Sequence, residues 1–465
     1  MSKYLKKSFL KKNIMHVFTF IFCLSMMINA VAAPWGVPED ITAGAAVVID
    51  SDTHTVLYGK EMNKQCFPAS VTKLLTALIV AESCDLDEMV TVSETALQNM
   101  EQGAVVAYLK PGDRLTVRDC LYGLLFRSAN DIANVLAEHV SGSVETFSEK
   151  MNEKARELGC KNSNFVNPSG LSSTEHLTTA YDMALIGSAC MDNKILMQLW
   201  TDESYKMHGI SEKPDGFNVT IGHKMLRKEN EYYDERVTGG KTGFTSASGN
   251  TLVTLAASNG RRLVAVCLQD KNPQHYIDTK ILLDFGFNYF FNKDSSELID
   301  FKNLENQLLN DKIIESGKNG LMTDKTPFVT LPNGADLSSV SWNYDYNLPE
   351  YSPKNAVAVM TAEYNEHDVG KCFLLNDRES ELVIDDMPEE KKEKRTVSVA
   401  VVIMTALMLG ALGAGILYIM NVRKQEIQRR KAALERRRNR LKSMNVSEEE
   451  FDEMLDKYRQ EHNRR

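Results

Sequence analysis

Residues 396–420 contain no charged side chain and are apolar all the way round a helix. A helix needs roughly 20 apolar residues to cross a bilayer, so this run predicts one transmembrane helix. Glu389 to Arg395 precede it with mixed charge, in a spacer over 387–395. Ten Lys and Arg residues, from Arg423 to Lys442, follow it. A basic flank marks the cytoplasmic side, which puts a basic helical tail at 421–465 inside and the body of the chain outside. A buried core helix is a poor rival, because it has no need of so basic a flank. At the other end Lys3, Lys6, Lys7, Lys11 and Lys12 lead into an apolar run from about Ile14 to Ile28, closed by Ala30-Val31-Ala32. That pattern describes a secretory signal peptide over 1–32, with an uncleaved N-terminal anchor as the alternative. The expected topology is type I with a single span.

The charge distribution agrees. The chain of 465 residues has 54 basic and 63 acidic groups, a net −9. Residues 1–32 carry +5, residues 33–395 carry 35 basic against 54 acidic groups, and the tail carries 14 against 9. An acidic outer body argues against a nucleic-acid binder. At 43% hydrophobic and 25% charged residues, a mostly disordered chain is excluded. Cys23 falls in the signal; the other seven cysteines, Cys66, Cys84, Cys120, Cys160, Cys190, Cys267 and Cys372, are odd in number and widely spaced. They resemble neither a disulfide framework nor a zinc site and read as small buried hydrophobes.

After a linker at 33–40, residues 41–292 read as one α+β body. Strands are predicted at 45–50 and 54–58, helices at 69–82, 118–138, 144–158 and 180–191, strands again at 251–256 and 263–269, and a closing helix at 280–290. This order suggests an antiparallel sheet flanked by helices. Residues 296–386 change texture to short alternating runs, notably Phe328 to Gly334, Ala356 to Tyr364 and Cys372 to Leu375, and predict a small all-β domain. There are no internal repeats.

Three short motifs carry chemistry. Ser70-Val71-Thr72-Lys73 follows Pro68 at the head of a helix. Residues three apart share a helix face, so the amine reaches the hydroxyl, and free N–H groups at the helix start favour a developing oxyanion. Lysine works as a base only when burial or a nearby cation depresses its pKa. Ser128-Ala129-Asn130 offers a hydroxyl to relay a proton and an amide to hold a substrate amide, although it also suits a helix start with Asp131 as cap. Lys241-Thr242-Gly243, within Gly239 to Thr245, reads as a strand whose glycines admit a ligand backbone, with a charge and a hydroxyl for an anion. Each motif alone is weak, since Ser8-Phe9-Leu10-Lys11 also fits the first and Ser248-Gly249-Asn250 the second.

In this order and context the three resemble the penicillin-recognising serine acyl-transferases. Pro68-Ala69-Ser70, Phe165 to Leu171, Thr179 to Ala184 and Phe285-Gly286-Phe287 narrow the likeness to the D-alanyl-D-alanine carboxypeptidases, the low-molecular-mass penicillin-binding proteins. The resemblance covers about residues 40–290 closely, and Val329-Thr330-Leu331-Pro332 extends it to the following β-domain. It implies the penicillin-binding/β-lactamase-like transpeptidase fold and a serine peptidase that trims the terminal D-alanine from peptidoglycan stem peptides in a bacterial cell wall. Ser70 would be the nucleophile and Lys73 its general base. Ser128 would pass a proton to the leaving amine, and Asn130 would position the peptide. Lys241 and Thr242 would bind the terminal carboxylate, with Gly243 completing the motif and the N–H groups of Ser70 and Phe244 forming the oxyanion hole. β-Lactams would acylate Ser70. No cofactor and no metal are expected, and none of the nine His falls in a metal-ligand pattern.

Two features depart from the family. Gln269-Asp270-Lys271 stands where bacterial members often carry an Arg, leaving Lys271 as a stand-in. The family usually ends in an amphipathic helix lying on the membrane, whereas 396–420 should span, with Ala406, Gly410 and Ala414 giving a small-residue face for self-association. The basic half of the tail suits either anionic lipid or a plain stop-transfer role. A serine β-lactamase would want a Glu-x-x-Leu-Asn motif, which residues 131–240 lack. A DD-endopeptidase on the same site, or a β-lactam-sensing scaffold acting through the tail, are the other readings.

Overall fold

The computed structural model describes residues 35–98, 103–314 and 320–376. Its centre is a five-stranded antiparallel sheet of order β2-β1-β5-β4-β3, with β1 at Ala45–Asp50, β2 at Val56–Lys60, β3 at Val237–Thr245, β4 at Gly249–Ser258 and β5 at Arg261–Asp270. β1 and β5 pair through Val47↔Val266 and β3 and β4 through Lys241↔Val253. Alternate side chains point to opposite faces of a strand. Val47, Ile49, Val253, Leu255, Val264 and Val266 therefore enter one core with the helical block. Ala46, Val48, Leu252, Ala265 and Cys267 enter a second core with Tyr276, Leu282 and Phe285 of the last helix. Burial on both faces explains why β1 and β5 read as continuous apolar runs rather than alternating ones.

The helical block contains α1 (Lys73–Ser83), α2 (Val117–Tyr122), α3 (Asn130–Ser141), α4 (Val144–Glu157) and α5 (Ala180–Asp192), and α6 (Gln274–Tyr289) covers the other face. Most predicted elements match within a few residues, and three differ. The predicted helix over 69–82 opens as a 3-10 turn, Ala69–Thr72. The predicted helix over 118–138 is broken: Gly123–Arg127 is a π-turn, Ser128 is left-handed at φ 63°, and α3 restarts at Asn130. α6 begins six residues before its predicted start, directly after Pro273.

Beyond the sheet, β6 (Phe290–Asp294) continues from α6 and pairs with β8 (Phe328–Pro332). β7 (Leu321–Thr323), β9 (Ser341–Asp345), β10 (Ala356–Tyr364) and β11 (His367–Asn376) form a four-stranded sheet of order β7-β11-β10-β9. This part is not wholly β. Helix α7 (Phe301–Asn310) packs Leu304 and Leu308 against Val357, Met360 and Leu374, a short amphipathic pattern masked by the strand signals around it. Arg261 of β5 ties the two parts together, donating to the carbonyls of Gly286 and Phe290, to Asp50 Oδ2 and to Asn292 Oδ1.

All seven described cysteines are unpaired thiols, six of them buried. Among the described residues no helix is long and apolar enough to cross a membrane. The expected signal peptide, spacer, span and basic tail, with its Arg423 to Lys442 stretch, lie outside the described residues.

Candidate active site

Lys73 is the first residue of α1 and is fully buried. Burial, aided by the nearby charge of Lys241, pushes its amine well below the usual lysine range. Its Nζ lies 3.0 Å from Ser70 Oγ, 2.7 Å from Asn130 Oδ1 and 2.5 Å from the Ser169 carbonyl. Asn130 Nδ2 donates to the Val105 carbonyl, which can only accept, so its Oδ1 faces Lys73. A neutral amine has two N–H donors and one lone pair. The two carbonyl oxygens take the donors, which leaves the lone pair to accept the proton of Ser70. The arrangement can thus deprotonate a serine hydroxyl, the function a nucleophile–base pair requires.

Ser70 sits on the 3-10 turn, against which β3 passes at very short range. A Cβ on Gly243 would lie 2.8 Å from the Ser70 nitrogen and 2.4 Å from Thr251 Oγ1, so only glycine permits this approach. Thr251 Oγ1 in turn donates to the Pro68 carbonyl and holds the turn against the sheet. On the opposite side, a Cβ on Gly170 would meet the Ala69 carbonyl oxygen at 1.8 Å, and Gly170 has φ +84°. The serine is therefore pinched between the edge strand and the 167–171 turn.

That turn adds a site residue, Ser169, which the three motifs do not contain. Asn167 Oδ1 accepts from the N–H groups of Ser169 and Gly170, aiming the Ser169 carbonyl at Lys73. Thr76 Oγ1 donates to the Pro168 carbonyl. His176 braces the same turn: its Nδ1 accepts from the Val166 N–H, so Nε2 carries the hydrogen and donates to Thr72 Oγ1 at 2.9 Å. Burial pushes His176 down to about 4, keeping it neutral. Asn167-Pro168-Ser169-Gly170 is legible as a turn, but nothing local says that its carbonyl faces a lysine.

Ser128 lies at the helix break, where its left-handed backbone costs on the order of 1–3 kcal/mol. Asn130 does start a helix, α3, and its N–H bonds the Val105 carbonyl. Asp131 accepts from the Ala107 and Leu109 N–H groups and binds the 105–109 loop to the head of α3. Lys241 on β3 is 3% exposed; burial lowers its pKa to about 7, and its Nζ donates to the Thr242 carbonyl. Beneath it His223, pushed down to about 3 by burial and Lys241, bonds Thr254 Oγ1. Thr242 and Gly243 are half-buried, and Phe244 is exposed beside them. The structure thus brings Ser70, Lys73 and Asn130 into direct contact and sets Gly243 against Ser70. Lys271 is solvent-exposed, its N–H bonded to Asp270 Oδ1.

A buried lysine beside a serine at a helix head, under an edge strand bearing Lys-Thr-Gly, defines an active-site serine acyl-transferase of the penicillin-recognising class. Residues 29–272 match the family described as D-alanyl-D-alanine carboxypeptidase. The chain belongs to that family of serine peptidases. It is 33% identical to the D-alanyl-D-alanine carboxypeptidase DacF of Bacillus subtilis over 53% of this chain and 63% of that protein. It is 30% identical to DacA of Haemophilus influenzae over 70% of this chain and 81% of that protein. The solved structure of penicillin binding protein 6B from Escherichia coli shares the fold, with TM-score 0.55 and 23% identity over 74% of this chain and 98% of that one.

Proposed function

We propose that the chain removes the terminal D-alanine from peptidoglycan stem peptides through an acyl-enzyme on Ser70, the same serine that β-lactams acylate. The observation that carries this reading is the fully buried Lys73 with its Nζ 3.0 Å from Ser70 Oγ. Ser70 attacks the D-Ala–D-Ala carbonyl while its proton passes to Lys73. The N–H groups of Ser70 and Phe244 receive the oxyanion, a term worth about 3–4 kcal/mol per donor in related chemistry. The scissile C–N bond breaks as Ser128 hands a proton to the leaving amine. Asn130 holds the peptide amide, and Lys241 with Thr242 binds the free carboxylate. Water then adds to the acyl carbonyl and the Ser70 ester bond breaks, restoring the serine.

The test is to incubate the chain and its Ser70→Ala variant with a peptide ending in D-Ala-D-Ala and to count free D-alanine by mass spectrometry. Release by the wild type alone is expected. A folded wild type that releases none overturns the reading and favours the endopeptidase or sensor alternatives.

The same proposal places the catalytic body outside a bacterial membrane, with the signal at 1–32, one span at 396–420 and the basic tail at 421–465 in the cytoplasm. The charge-free run and its basic flank support this. The domain division at 41–292 and 296–386, and self-association through Ala406, Gly410 and Ala414, belong to it as well. Protease protection of a tail epitope in intact cells, lost on permeabilisation, checks the orientation.

A further inference from the structure

Among the described residues, one cluster brings three chemically different metal-ligating groups together, and it lies away from Ser70. Cys84 Sγ, Glu88 Oε and His139 Nε2 all fall within 4.8 Å of one another. His139 Nε2 is 3.0 Å from Glu88 Oε1. In a tetrahedral zinc site, bond lengths of about 2.3 Å to sulfur and 2.0–2.2 Å to nitrogen or oxygen separate the ligand atoms by roughly 3.3–3.6 Å.

The backbone holds the three groups from separate elements. Cys84 is the C-terminal cap of α1, extended at φ −134° and ψ 149°, with its N–H on the Val80 carbonyl. Glu88 follows a turn closed by its N–H on the Asp85 carbonyl, and its own carbonyl accepts from Val117. His139 stands in the last turn of α3. Beside them a cavity of about 660 Å³ is lined by Cys84, Asp85, Asp87, Glu88 and Arg118. Cys84 and Glu88 are thus reachable from solvent on this side. Arg118 pairs with Asp87 at 3.1 Å, so Asp85 and Glu88 are the carboxylates left to face a cation, against Lys150.

We propose that Cys84, Glu88 and His139 bind a divalent cation of the zinc class through one thiolate, one carboxylate oxygen and one imidazole nitrogen. Sulfur, nitrogen and oxygen donors with an open position suit zinc, whereas calcium and magnesium demand oxygen alone. Binding displaces the thiol proton to solvent. The consequence lies in which ends it joins. α1 begins at Lys73 and α3 begins at Asn130, so the cation clamps together the far ends of the two helices whose heads meet at the active site. Its role is to hold those helices, with no part in bond breaking.

The full-length chain in detergent, stripped with chelator, is titrated with zinc alone and with cobalt(II) as a coloured probe. One equivalent of zinc is expected, with a rise in Tm. Cobalt(II) is expected to give the near-ultraviolet charge-transfer band of a metal-bound thiolate. Cys84→Ser removes the band, and Cys84→Ser and His139→Ala each weaken zinc binding at least tenfold; Glu88→Gln weakens it less. Circular dichroism confirms that each variant is folded. A wild type that gives no thiolate band overturns the proposal without reference to any variant. So does zinc binding that is equal in the wild type and in folded Cys84→Ser and His139→Ala, which marks an ordinary His–Glu ion pair.

Discussion

Gly243→Ala is the substitution that best separates the stability of this fold from its chemistry. The added methyl would sit 2.4 Å from Thr251 Oγ1, 2.8 Å from the Ser70 nitrogen and 3.1 Å from Ala69 Cβ. Two of these neighbours belong to the turn that presents the nucleophile, and backbone cannot rotate away as a side chain can. Overpacking of this kind costs about 1–3 kcal/mol. If Thr251 swings aside it loses its bond to the Pro68 carbonyl, a further ~0.5–1.5 kcal/mol. Urea unfolding should therefore show a loss of about 2–4 kcal/mol. The remaining strain moves Ser70 relative to Lys73, and a displacement of about 1 Å lowers rates on the order of 10²-fold. Adding Thr251→Ala removes the closest contact but leaves the methyl against the Ser70 nitrogen. The double variant should recover part of the stability relative to Gly243→Ala and none of the acylation rate, followed with a fluorescent penicillin. Recovery of both together, or wild-type acylation in Gly243→Ala alone, would refute the argument that strand and turn are matched at this glycine.

Lys73→Met should cut acylation about 10²–10⁴-fold, the usual share of general base catalysis, and stopped-flow acylation measures it directly. The pH profile of kcat/KM should be bell-shaped. Protonation of Lys73 blocks the proton transfer on the acid side, and loss of charge from Lys241, lowered to about 7, weakens carboxylate binding on the alkaline side. Lys241→Gln should raise KM and erase that alkaline limb. Arg261→Met should lower stability by about 3–5 kcal/mol in urea, because it strands the buried Asp50 carboxylate. His223 has its folded pKa depressed to about 3, so the unfolded chain binds the extra proton below about pH 6.5 and stability falls as pH drops from there. His223→Gln should flatten that slope by about 1.4 kcal/mol per pH unit between pH 6.5 and 4.

Much of the site could be read in the chain because its chemistry is local. Ser70 and Lys73 need only one helical turn to meet, and the apolar residues after Lys73 already announce its burial. Strands β1 and β5 were legible because burial on two faces leaves long apolar runs. The helix break at Ser128 was not legible. Gly123-Leu124-Leu125-Phe126-Arg127 continues an apolar helical pattern, and the interruption is imposed by the 105–109 loop bonding Asn130 and Asp131. Ser169 is illegible for a similar reason: it contributes a backbone carbonyl, which no residue type encodes. The cluster of Cys84, Glu88 and His139 depends on a packing of α1 against α3 that no spacing reveals.

The Lys-Thr-Gly strand is the last in its sheet, paired with β4 on one side. An unpaired strand edge is a template for any extended chain, including a second copy of the same protein, and such edges drive aggregation unless guarded. Here the 3-10 turn bearing Ser70 packs over the face of the strand at Gly243, and a desolvated lysine lies within the strand. A bare neutral strand laid alongside would have to leave Lys241 without a counter-charge, while a short peptide ending in a free carboxylate brings one. If Lys241 binds the substrate carboxylate as proposed, the same buried amine that favours a carboxylate-ended peptide would also disfavour pairing with a neutral strand. Replacing Lys241 with leucine would be expected to make the purified chain stickier as well as less active.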